Sequence, residues 1–588
     1  MKRTETLLAA LILGAFAPHS GATVYPSDGS AANVQAIHDT NAHDGDTITL
    51  PAGTFIWITG VSITKAVTVS GRTTITGAGT ASCTANDQTI IIDEKPRGTA
   101  GALIKATIAA GKSFRLTGIT FKKGSITQIA NNGAIQLLST GLVQNARVDL
   151  CHFDHLYWTH SFEVVSWIYG VEDDNLFDCN GNNISHLIKH SSWGGRGDGN
   201  GSWADYPYYG SEKFWFIEDN TIKGSGSAVT SGGVDSSVGG RYVARHNYVQ
   251  NASLGGHGTE GGPNRGVRCD QVYNNTFYWT ISHGGHAHRS GSTIWHDNTF
   301  LGRDPGNHDH TNLPYYRQLG LVSDDLSDWG FADGANGWDS NDSHGIYLSG
   351  TAASNTTISG ATGTFTTGST MTAHAYKGMQ VRNDNPAAAP YLHSAYISDN
   401  TTTTITYYYG GPGRGAPLVF NSGDAFSIRK VLIALDQNGR GKGDLIVSSS
   451  VRPASWPNQQ QETCFSWNNK NTDTNQVYGI TNSIPTEHEG SDYINLGAGL
   501  PANQIPAQVT AVYPASVNGG SAYNHEYPYP HHLVTGNPSP TPSPTSTPTV
   551  TATATPTATH TPTATPRPSV TPTPTPTATQ TPAPTPTA

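Results

Sequence analysis

Charge is scarce in this chain. Asp, Glu, Lys and Arg make up only 13% of its 588 residues, and 33 basic side chains are outnumbered by 43 acidic ones, for a net charge of −10. Nothing here would neutralise a phosphate backbone, which excludes a nucleic-acid binder. Ala, Glu, Lys and Leu do not dominate at a helical period, which excludes a coiled coil or helical bundle. The apolar run at 7–17 has 11 residues, short of the roughly 20 that a membrane helix needs, and no later run approaches that length. Cysteine is sparse: Cys83, Cys151, Cys179, Cys269 and Cys464. Five is odd and no spacing resembles a zinc site, so these read as small buried hydrophobes rather than a disulfide framework.

What the chain has in quantity is Gly, 66 residues of it, with much Asn, Thr and Ser. The two ends are special. Lys2 and Arg3, the short apolar run and the small residues Ser20, Gly21 and Ala22 have the form of a secretory signal, so the mature chain is expected to begin near Thr23 and to be secreted or cell-surface. Residues 537–588 are almost entirely Pro, Thr, Ser and Ala, with Arg567 the lone formal charge. Such a tract cannot bury a core, and it reads as a disordered, polyproline-like tail.

A repeat runs through the middle. Glu172-Asp173-Asp174-Asn175-Leu176-Phe177, Ile217-Glu218-Asp219-Asn220-Thr221-Ile222, Ala244-Arg245-His246-Asn247-Tyr248-Val249, Val272-Tyr273-Asn274-Asn275-Thr276-Phe277 and Trp295-His296-Asp297-Asn298-Thr299-Phe300 share one frame: a β-prone run, an Asn, one residue, then an apolar residue. The Asn positions lie 45, 27, 28 and 23 residues apart. A period of this size marks a solenoid, and the alternation of β-branched or aromatic with polar residues makes its elements strands. Stacked amides can bond up the column, and Asn tolerates a left-handed bend. The 45-residue first interval holds one coil plus a loop at 191–209 rich in Gly, Trp and Tyr. Segments 115–121 and 147–153 fit the frame with Ile119 and Cys151 in place of Asn, so the ladder is expected to start at Asn175.

The opening Gly45-Asp46-Thr47-Ile48-Thr49-Leu50-Pro51-Ala52-Gly53-Thr54-Phe55 and the strand-like run 61–69, taken with the Asn coils, resemble right-handed parallel β-helix proteins of the pectin-lyase-like superfamily. The expected fold is therefore all-β: a single-stranded right-handed parallel β-helix. The boundaries are a signal peptide at 1–22, the β-helix at 23–350, an inserted small β module at 351–428, the last coils and a C-terminal extension at 429–536, and the tail at 537–588. Coils are expected to resume at 430–434 and at 464–469.

The resemblance implies that the Asn bend separates the second and third sheets and that a substrate groove runs along the first. Counting from the ladder, that face takes in 162–165, 185–193, 228–235, 254–268 and 283–289. These stretches hold Lys189 and His190, then His257, Glu260, Arg265 and Arg268, then His283, His286, His288 and Arg289. Strands about 4.8 Å apart let such side chains converge on one sugar ring. The set suits β-elimination on a uronate-containing polymer, which needs a base and a cation to hold the developing enolate charge. His257, His288 and Arg289 are the catalytic candidates; Lys189, Glu260, Arg265, Arg268 and His286 are the candidates for holding an acidic polysaccharide. Arg265 precedes Asn275 by 10 residues, as His288 precedes Asn298, which stacks the two on adjacent coils.

Two other classes stay open. One is a glycoside hydrolase, because Gly256-His257-Gly258 resembles a polygalacturonase motif; its carboxylates would be Asp235 with Asp219 or Asp205, but that family's adjacent Asp pair is missing. The other is a non-catalytic surface or adhesion protein. Calcium is the natural cofactor of a lyase short of Arg; the Asp pairs at 173–174 and 324–325 lack a binding-loop spacing, so no metal is assigned. The chain is expected to act as a monomer.

Overall fold

The computed structural model describes residues 22–97, 101–179, 184–224, 233–256, 258, 265–280, 288–302, 311–313, 330–332, 346–360, 362–376, 380–385, 394–408, 418–429, 431–433, 438–441, 460–482 and 489–536. Residues 1–21 of the expected signal segment and the tail at 537–588 lie outside them.

The chain forms a right-handed parallel β-helix. A full turn contributes one strand to each of three sheets. The strands Ile184–Lys189, Trp215–Glu218 and Thr221–Lys223 make one coil; Gly233–Ser237, Arg241–Arg245 and Tyr248–Gln250 make the next. Among the described residues the first sheet has seven strands, from Val61–Ile63 to Ser253–Gly256, the second twelve and the third eleven.

The Asn column stands at the bend between the second and third sheets. Asn175, Asn220, Asn247, Asn275, Asn298 and Asn469 are all buried. Each Oδ1 from Asn220 onward accepts the backbone N–H of the preceding Asn, at 2.9–3.2 Å. The column begins at Asn175, whose Oδ1 takes the N–H of Cys151 at 2.9 Å. The left-handed residue is not the ladder Asn but the one before it: Asp174, Asp219, His246, Asn274, Asp297 and Asn468 all have φ of 51–58°. The Asn is therefore kept for its amide, which satisfies backbone groups that the bend strands in a dry interior.

Two residues past each Asn, the apolar position points into the coil. Phe121, Phe153, Phe177, Ile222, Val249, Phe277 and Phe300 are register partners in one row of the third sheet. Phe153 and Phe177 stack at 4.5 Å, and Phe277 and Phe300 at 4.9 Å. All five cysteines are buried.

The N-terminal end of the coil is closed by helix Ala31–Thr40, capped by Ser30, whose Oγ accepts from Asn33 N at 3.2 Å. Ala31, Val34 and Ile37 turn inward, and Gln35 pairs with both backbone groups of Ser62 on the exposed edge strand. Among the described residues the inserted module is a seven-stranded antiparallel sheet from Ile346–Thr351 to Ala425–Arg429 with its own apolar core. The expectation of a coil at 430–434 fails, because Val431–Ile433 pairs antiparallel with Gly330–Ala332. Cys464–Trp467 instead resumes the second sheet, beside Ser292–His296. The end of the last described stretch, 505–536, folds back over the outer face of the second sheet. Arg147 donates to Leu533 O at 3.1 Å, and His531 N donates to Glu218 Oε1 at 2.8 Å.

Candidate active site

The outer face of the first sheet follows from alternation. Phe162 and Val164 are core residues, so Glu163 between them faces outward; Val234 is core, so Asp235 faces outward. In register, Gln136, Glu163, Leu187 and Asp235 form one row across four coils. His160 joins the two acids. Its Nδ1 lies 3.2 Å from Glu163 Oε1 and its Nε2 4.0 Å from Asp235 Oδ2. Gln136 Nε2 donates to the other oxygen of Glu163 at 2.8 Å. Gly133 makes room for this: a Cβ there would fall 2.6 Å from Glu163 Cγ.

Burial would lower the pKa of His160, but the carboxylates of Asp235 and Glu163 outweigh it and hold the imidazole above its ordinary value. The side chain of Glu163 is 4% exposed and that of Asp235 16%, so the pair is sheltered yet reachable from solvent at Asp235. Two carboxylates on one row two coils apart, about 9.6 Å by strand spacing, stand near the upper end of the roughly 6.5–9.5 Å that acid–base cleavage of a glycosidic bond with inversion uses.

Among the expected site residues, Lys189 ends its strand half-buried, in register with Ser237, and Arg289 is half-buried. His257, Glu260, His283 and His286 lie outside the described residues. Three assignments need correction. His288 is fully buried, with Nδ1 2.9 Å from Asp270 Oδ2. Asp270 sits in the inward row between Tyr242 and Thr293, so this imidazole cannot meet a polymer. Arg268 is also fully buried; it grips both oxygens of Glu462 at 2.6 and 2.8 Å and the carbonyl of Asp205 at 2.7 Å. Arg265 is 1% exposed and donates from Nε to Asn200 Oδ1 at 2.9 Å. These arginines pin the 191–209 loop and the post-insert segment to the coil. Nor do Arg265 and His288 share a rung, since His288 bridges Gly256.

His190 is likewise structural. Burial, helped by Arg241, pushes its pKa down to about 3, and Nδ1 accepts from Arg241 N at 3.1 Å. Sequence reasoning weighed Asp235 but passed over His160, Glu163 and Gln136. A usable signal existed: Glu163 precedes Asn175 by 12 residues, as Asp235 precedes Asn247.

No protein-family model matches the chain, and no curated protein matches it. Solved structures with a related course include a tailspike protein of E. coli bacteriophage HK620 in complex with a pentasaccharide, at 11% identity and a TM-score of 0.23, covering 68% of this chain and 89% of that one. The enzymatically active domain of bacteriophage CBA120 tailspike protein 4 matches at 11% identity and a TM-score of 0.28, covering 68% and 66%. At such scores neither carries a site or an activity across. No described helix is long and apolar enough to cross a membrane.

Proposed function

We propose that this chain is an exported, polysaccharide-cleaving β-helix of the pectin-lyase-like superfamily, and that it works as a glycoside hydrolase. The observation that carries the reading is the Glu163–His160–Asp235 cluster on the outer face of the first sheet. One carboxyl group would protonate the leaving glycosidic oxygen while the other activates a water on the opposite side of the sugar. His160, whose pKa the two carboxylates raise, lies between them, keeps both aligned and would supply the proton that the acid delivers. Gln136 fixes the rotamer of Glu163.

The β-elimination reading depended on exposed arginines to neutralise a uronate carboxylate. Arg268 is engaged with Glu462 and Arg265 is withdrawn against Asn200, which leaves Lys105, Lys189 and Arg289 as partly exposed cations of that face among the described residues. An acidic polymer is thus no longer favoured over a neutral one.

The test is a screen of the purified protein on neutral and acidic polysaccharides, following reducing ends and the ultraviolet absorbance of an unsaturated product in parallel. Reducing ends without that absorbance are expected. Glu163→Gln and Asp235→Asn should each lower turnover by about a hundred- to ten-thousand-fold. An unsaturated product, or full activity in both variants, would sink the hydrolase reading.

A further inference from the structure

Far from the groove, the outer face of the second sheet carries a row of register partners, Glu218, Arg245, Tyr273, His296 and Trp467, covered by the 505–536 segment. His296 is fully buried. Its ring is clamped between Tyr273, 4.9 Å away at 11°, and Trp467, 4.2 Å away at 5°. Its Nδ1 lies 2.9 Å from Asp297 Oδ2, while Asp297 Oδ1 accepts from Asn468 Nδ2 at 2.9 Å. Asp297 therefore fixes the tautomer and leaves the Nε2 lone pair facing outward, toward the covering segment.

Facing that lone pair, at 3.8 Å, is Oε1 of Glu526. Among the described residues neither atom has a hydrogen-bond partner, and neither does the hydroxyl of Tyr523, whose pKa is pushed up by burial, with the charges of Tyr273, Glu526 and Asp297 adding to it. Two buried polar atoms thus face each other with nothing to bond to among the described residues, and a third unpartnered one belongs to the same covering segment, which a folded protein rarely tolerates. The nearby cation does not resolve this. Arg245 directs its donors to Glu218, the hydroxyl of Tyr273, and the carbonyls of Tyr527 and Pro528.

The geometry points to a metal site: a divalent transition-metal ion, of which Zn²⁺ is the natural probe, held by Nε2 of His296 and Oε1 of Glu526 with Tyr523 beside it, and oriented by Asp297. The nitrogen of His296 and the carboxylate oxygens of Asp297 and Glu526 lie within 4.8 Å of one another. With bonds of about 2.1 Å, two ligands of a tetrahedral ion sit about 3.4 Å apart, close to the 3.8 Å observed between Nε2 and Oε1. A carboxylate on the far nitrogen of a ligating His is the usual outer-sphere arrangement. One carboxylate on the ion and one behind the imidazole balance its double charge. Such an ion would join the coil to the 505–536 segment and hold that segment in place.

The experiment uses the full chain, stripped with a chelator and titrated with Zn²⁺ by calorimetry and with Co²⁺ by its visible spectrum, alongside thermal melts. One equivalent should bind and raise the melting temperature. Glu526→Gln and Asp297→Asn should each weaken uptake about 10- to 100-fold while the metal-free proteins still melt cooperatively. Because the chain holds 24 histidines, adventitious uptake is the rival outcome. Binding that is unchanged in Glu526→Gln, or no stoichiometric binding to the wild type, overturns the site and leaves a buried water there.

Discussion

Arg268→Met tests whether the arginines behind the groove are structural pins. In the native chain Arg268 and Glu462 are 0% and 1% exposed at their side chains. They share two hydrogen bonds of 2.6 and 2.8 Å, and a third ties Arg268 to Asp205 O. Methionine keeps the stem's volume but leaves the Glu462 carboxylate buried with Ser292 Oγ, 3.4 Å away, in place of a cation. Breaking a buried pair by removing one partner costs about 3–5 kcal/mol, because the remaining charge is uncompensated. Removing both partners is far milder, so Arg268→Met/Glu462→Leu should recover at least about 2 kcal/mol of that loss. The assay is equilibrium denaturation in urea, with tryptophan fluorescence and circular dichroism followed together to check that one transition is being read. If Arg268→Met costs under about 1 kcal/mol and instead abolishes binding of an acidic oligosaccharide, the residue is a substrate clamp and the burial argument is wrong.

Two further outcomes follow from the same geometry. Asn247→Ala removes the acceptor for Asn220 N and the donors to Ile217 O, Arg245 O and Asn275 Oδ1; with buried groups costing about 1–3 kcal/mol each when orphaned, it should destabilise the coil by about 3 kcal/mol in the same urea assay, and a loss below 1 kcal/mol would show the ladder to be decorative. His160 has a raised folded-state pKa, so its interaction with Glu163 and Asp235 stabilises fully below the ordinary histidine value of about 6.5 and is lost as pH rises through the raised one; melting temperature measured across that window should fall with pH in the wild type and less so in His160→Gln, and parallel curves would refute the coupling.

Much of the fold was written in one residue type at one spacing. Asn175 through Asn298 set the period, and the apolar residue two positions on set the inward face, because a coil's interior must be apolar and its bends must be satisfied locally. Counting back from that column located the first sheet, including the strands that carry Glu163 and Asp235. What counting could not decide was which neighbours turn outward. In a strand, one step along the chain exchanges the two faces, and this separates sealed His288 from half-buried Arg289. Nor could it foresee cover supplied from far away in sequence. Asn200 and Asp205 reach back to Arg265 and Arg268, Glu462 arrives 194 residues later, and the 505–536 segment buries a polar row that would otherwise face water. Charge at those positions looks like a binding groove from sequence alone. Only the packing of distant segments decided that the arginines are sealed against the protein while Asp235 keeps a partly exposed edge.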